Sequence, residues 1–165
     1  MGNASNALIM AATILIGVLI ISAGAFLFNQ FGENSKTINE RMEQAQKDQI
    51  NAQFVKFEGV ETCTAHDIVS VANLAKEYNK NNELTIANSG ESGSYYIQVT
   101  VKASNSDNSV GKLSNFEDAT QENYQNFMKK YSLTNDNNQL RFTCKSVTIN
   151  DKTGYVSNIV FEQNN

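Results

Sequence analysis

Proline is absent from this chain of 165 residues, histidine occurs once, cysteine occurs twice, and charge is missing altogether from the first 32 positions. Without proline, the boundaries between segments are left to Gly and Asn. A lone His66, three residues from Cys63, supplies two ligands where a structural zinc needs four, so no metal site is read here. All 17 acidic and 13 basic residues lie beyond residue 32, with a net charge of -4 and no dense Lys or Arg cluster. Tight nucleic-acid binding needs a basic patch to neutralise phosphates, so a nucleic acid is excluded as partner. The chain also has no P-loop, no dinucleotide glycine fingerprint, no G-x-S-x-G elbow and no H-E-x-x-H, and no cofactor is expected.

What stands in place of charge at the start is a long apolar run. Ala7 to Phe28 makes a helix of roughly 33 Å at about 1.5 Å per residue, matching the roughly 30 Å hydrocarbon core of a bilayer. A cleaved signal peptide would have a basic start and a shorter apolar stretch. Met1 to Asn6 has no basic side chain, which favours a retained anchor, although Ala23-Gly24-Ala25 is a usable cleavage site before Phe26. Membrane lipid is thus the first expected partner, and a single-pass cell-membrane location follows.

The remaining chain, about 130 residues, suffices for one domain and a short stalk. The charged fraction of the whole chain is only 18% and its polarity is mostly uncharged, which suits an extracytoplasmic head. Cys63 and Cys144, an even pair in a membrane-mounted chain, are disulfide candidates if the head faces an oxidising compartment; two buried free thiols are the alternative. Counted literally, the positive-inside rule opposes this placement, with Lys36, Arg41 and Lys47 following the helix. Those bases are interleaved with Glu33, Glu40, Glu43 and Asp48, and long downstream domains translocate largely regardless of charge, so the outside location is preferred.

Three segments follow from the patterning: an anchor over 1–32, an amphipathic stalk helix over 33–58, and an α+β head over 59–165. In the stalk, Ile38, Met42 and Ala45, then Ile50, Phe54 and Phe57, repeat the i, i+4, i+7 spacing of one helical face. That face packs on its own head or on neighbouring copies. The helix either continues through Gly32 or bends there and at Asn34-Ser35. Thr64 with Asp67 forms a capping box for a helix with Ile68, Val71, Ala72, Ala75 and Tyr78 on one side. Leu84 to Ala87 reads as a strand, Asn88 to Ser94 as a turn, and Tyr95 to Ala103 as a strand burying Ile97, Val99 and Val101.

Ser104 to Gly111 reads as a polar loop, and Ser114 with Glu117 as a second capping box ahead of Phe116, Ala119, Tyr124, Phe127 and Tyr131. After an Asn-rich break at Thr134 to Gln139 come strands Leu140 to Asn150 and Tyr155 to Gln163. A change of apolar parity places a bulge near Lys145-Ser146. The expected sheet is antiparallel, of about four strands, beside two helices. Catalytic readings are thin: Cys63 with His66 sits at a helix entry, Asn105 and Asp107 lack the glycine and glutamate of a calcium loop, and Glu117-Asp118 face different sides of a helix. The chain is not expected to be an enzyme.

A near-N-terminal hydrophobic helix, an amphipathic continuation and a small α+β head with a C-terminal hairpin resemble the lollipop plan of type IV pilins and pseudopilins. The start Asn3-Ala4-Ser5-Asn6-Ala7-Leu8-Ile9-Met10-Ala11, and later Phe54-Val55-Lys56-Phe57-Glu58-Gly59 with Asp67-Ile68-Val69, are similar to small single-pass membrane-anchored proteins of Firmicutes. The chain departs from prepilins in lacking a basic leader, a peptidase site and a glutamate near Ser5 and Asn6. The resemblance implies a non-enzymatic structural or assembly role in the cell envelope, with self-association or other envelope proteins as partners. Small residues Ala7, Ala11, Thr13 and Gly17 then permit close helix approach, or simply face lipid. An anchored module binding a peptide, glycan or envelope partner is the alternative.

Overall fold

The computed structural model describes residues 2–89, 93–102, 109–132 and 139–164. They form two compact units, residues 1–46 and 47–165. Residues 2–46 of the first unit are helical. They belong to helix α1, Gly2–Val55, 54 residues without interruption. Gly17, Gly24 and Gly32 are carried inside it, each at a cost of roughly 1 kcal/mol relative to Ala. The bend considered at Gly32 and Asn34-Ser35 does not break the helix.

The second unit begins with the last turns of α1, where Phe54 is buried in the core. The helix ends at Val55 and the chain reverses through Gly59, whose φ of 74° is the left-handed conformation glycine tolerates. Thr64 then caps helix α2, Ala65–Asn81. Its hydroxyl accepts from Asp67 N–H at 3.3 Å while Asp67 Oδ2 accepts from Thr64 N–H at 2.8 Å, the capping box read from the sequence. Of the expected stripe, Ile68, Val71, Ala72 and Ala75 are fully buried and Tyr78 is half-buried against the core.

Strands β1 (Gln98–Lys102), β2 (Phe142–Ile149) and β3 (Val156–Gln163) make one sheet in the order β1-β3-β2. The C-terminal strand is therefore central, and it buries Val156, Ile159 and Phe161. The β2–β3 pairing is antiparallel with the expected irregularity between Cys144 and Ser146. β1 runs parallel to β3, Gln98 opposite Asn158 through Lys102 opposite Glu162. Among the described residues the sheet is thus three-stranded and mixed, a correction to the expected four-stranded antiparallel one. The parallel arrangement is possible because helices α3 (Ser109–Leu113) and α4 (Gln121–Tyr131) lie in the connection from β1 to the hairpin.

Two local expectations also change. Leu84 to Ala87 is not a strand: Glu83 adopts φ 54°, Leu84 N–H returns to Asn79 O at 2.8 Å, and Ile86–Asn88 is a 3₁₀ turn. The chain there is folded back on the end of α2, so it has no free edge to join. Ser114 does not cap a helix. It is buried, its hydroxyl donating to Gly111 O at 2.9 Å and accepting from Val99 N–H at 3.4 Å. The cap of α4 is Thr120, whose hydroxyl accepts from Asn123 N–H. Gly90 in the expected turn, 104–108 of the polar loop (with Asn105 and Asp107) and 134–138 of the Asn-rich break lie outside the described residues.

Candidate functional site

Among the described residues, most of the exposed large hydrophobic side chains lie on the long helix. Leu8, Ile14, Ile20 and Phe28 are 73%, 68%, 68% and 80% exposed, and none of the most apolar stretch is buried. By length and composition this is a helix able to cross a membrane, properties shared by signal sequences. Each helical N–H and C=O in its interior is satisfied within the segment, which is what hydrocarbon requires. Thr13 fits the same rule, its hydroxyl donating to Met10 O at 2.9 Å. Ala7, Ala11 and Thr13 are exposed, and a side chain added at Gly17 would meet nothing within 4 Å.

The other helix-packing candidates separate into two groups. Ile38 and Met42 are 57% and 64% exposed, whereas Phe54 is 1% exposed and Phe57 is half-buried against the core. At about 100° per residue, Ile38 and Phe54 lie about 160° apart around the helix. The single stripe expected from Ile38 through Phe57 is therefore two faces. Spacing of i, i+4, i+7 holds within each triplet, but the step from Ala45 to Ile50 rotates the second away from the first.

The inner face joins the head through Asn51. Its Oδ1 accepts from Val156 N–H at 2.9 Å and its Nδ2 donates to Gly154 O at 2.7 Å, so an amide side chain closes the entrance of β3. Within the head, a second amide does similar work. Asn79 is fully buried, donating to Ile97 O at 2.8 Å and Ser114 O at 2.9 Å while accepting from Ile97 N–H at 2.9 Å. Sequence reading missed both, because asparagine near a helix end reads first as a cap or a break.

Cys63 and Cys144 enter one core as two buried free thiols, the alternative to the disulfide. The residue opposite Cys63 is Phe142, with backbone bonds in both directions of 2.9 and 2.8 Å. Cys144 is held by Val60 and Gly59 instead. The two cysteines are thus diagonal neighbours across this bridge, close enough for each to influence the other's ionisation. Burial, with the Asp67 carboxylate, pushes the Cys63 thiol up, and burial pushes Cys144 up to about 11. Both changes suppress the thiolate, so neither cysteine is set up as a nucleophile. Cys63 Sγ points to Val60 O at 3.6 Å.

His66 instead lines an open groove of about 570 Å³ between α2 and α4, with Val69, Asn73, Gln121, Tyr124 and Met128 among its walls. Tyr124 Oη donates to Leu113 O at 3.1 Å, and burial beside Glu77 raises its hydroxyl to about 12. Among the described residues, no three His, Cys, Asp or Glu side chains gather as a metal would need. Comparisons with protein-family models, curated proteins and solved structures give no match to the chain.

Proposed function

We propose that this protein is a membrane-anchored, non-enzymatic structural or assembly component of the cell envelope, built on a pilin-like plan with its head outside the cytoplasm. The observation that carries this reading is the continuity of α1: one 54-residue helix supplies both an exposed apolar segment and Phe54 of the head's core. Such a helix holds the head at the lipid boundary, and its exposed faces are where other subunits or envelope proteins join. Uncharged polarity of the head and the absence of a basic cluster support the outside placement.

A second reading rests on the groove between α2 and α4. Its apolar floor of Val69 and Met128 and its amide-bearing rim of Asn73, Gln121 and Gln125 suit an anchored module that binds a peptide, glycan or envelope partner. Light scattering on the detergent-solubilised full chain separates the two. A subunit gives multimers whose size rises with protein concentration in the micelle; a binding module stays monomeric. Complete release from membranes by alkaline carbonate would refute both.

A further inference from the structure

Ile38 and Met42 are exposed in the stalk segment that follows the apolar run. Assigning Met42 to position a of a heptad puts Ser35 at the preceding a, and Ile38 and Ala45 at d. Carried back into the apolar run at the same period, the d series falls on Phe31, Gly24 and Gly17. Every charged residue of 33–48 lands at b, f or g, and none at a, d or e. Lys36 and Glu40 occupy b and f, where they pair with each other at 3.9 Å on the side away from the seam. Inside the head, Gln49 and Ala52, the next a and d, stay exposed while Ile50, Asn51 and Phe54 turn inward.

We infer that the a/d face of α1 is a parallel, in-register coiled-coil interface with a second copy of this chain. The inference rests on the anchored reading above and deepens it by naming the partner. From Phe28 to Ala45 the a and d positions are Phe28, Phe31, Ser35, Ile38, Met42 and Ala45, apolar but for one serine, and a 3.5-residue repeat of this kind faces one partner along a left-handed supercoil. A shared bilayer selects the occupant. Two copies inserted with the same orientation meet parallel and at equal height, so Met42 faces Met42 and Ile38 faces Ile38. Gly17 and Gly24 at d then admit close backbone approach within the membrane. At the flanks, Arg41 at g reaches Gln46 at e of the neighbouring copy, so no like charges are forced together.

Cysteine scanning of the full chain in native membranes tests this. Cys63 and Cys144 are buried and remain in place. Under copper-phenanthroline oxidation, Ile38→Cys, Met42→Cys and Ala45→Cys should each give same-residue crosslinked dimers at least 5-fold more than Lys36→Cys, Glu40→Cys or Glu43→Cys. Ile38→Glu with Met42→Glu should abolish the Ala45→Cys crosslink and leave the head's melting temperature unchanged. Equal crosslinking at all six positions, or none at 38 and 42, overturns the inference. Crosslinks found only between unlike positions overturn it while sparing the anchored assembly reading, since they report a staggered array. Extraction of the chain by alkaline carbonate overturns both.

Discussion

Asn51 and Val156 are joined by a 2.9 Å hydrogen bond from the strand's N–H to the helix's side-chain oxygen, and the same amide donates to Gly154 O at 2.7 Å. This contact ties the last turns of α1 to the start of β3. Lys47, one turn earlier, lies against Gly154, where an added Cβ would come within 3.1 Å of its side chain. Replacing Asn51 by Ala removes both bonds and leaves the β3 entrance unpaired. A loss of about 1–3 kcal/mol in head stability is expected. Urea unfolding of the full chain in detergent, followed by near-ultraviolet circular dichroism of the tyrosines, measures it; a change below about 0.5 kcal/mol contradicts it.

Asn79→Ala should be more damaging. The side chain satisfies three backbone groups in a site of zero exposure, Ile97 N–H, Ile97 O and Ser114 O. Alanine leaves all three buried without that partner, and each such group costs on the order of 1–3 kcal/mol. A drop of about 2–4 kcal/mol by the same assay is expected, with local relaxation and water absorbing the remainder.

Phe54→Ala and Met42→Ala should diverge although both remove a large apolar side chain from one helix. Phe54 is 1% exposed and Met42 64%. The first opens a cavity in the head core and costs about 3–5 kcal/mol. The second should leave head unfolding within about 0.5 kcal/mol of the parent. Equal effects would mean that the stalk face is covered by the head.

Alkaline pH should weaken the head in two stages. Cys144 is raised from 9.0 to about 11, chiefly by burial. Tyr78 and Tyr124 are each raised from 10.0 to about 12, again chiefly by burial. In each case the folded chain holds its proton to higher pH than the unfolded chain does. The stabilisation is therefore complete below the unfolded value and is lost as pH rises through the folded one. Urea midpoints should be level up to about pH 8–9, fall as the thiol titrates, and fall further from about pH 10. Cys144→Ala should shrink the first stage, leaving the part carried by Cys63, and leave the tyrosine stage in place.

Much of this architecture was legible because it rests on local signals. The uncharged run declares α1, Thr64 with Asp67 declares the start of α2, and alternation at Ile97, Val99 and Val101 declares the buried face that includes β1. The parity change in β2 located its bulge. The parallel β1–β3 pairing was not legible, since no turn announces a partner remote in sequence. Ser114 misled because a hydroxyl ahead of an acid reads as a cap, while here it is spent inside the core on Gly111 and Val99. Of the site, the helix face was visible as a period, but dividing it into an inner and an outer face required knowing which turn of α1 meets β3.

Intact mass of the protein recovered from the membrane fraction is the most direct test of the anchored reading. The expected result is a chain that needs detergent for release and still carries Ala7 to Phe28. A soluble species whose mass places its first residue at Phe26 would show that the apolar helix is a discarded signal, and that no anchored assembly is built on it.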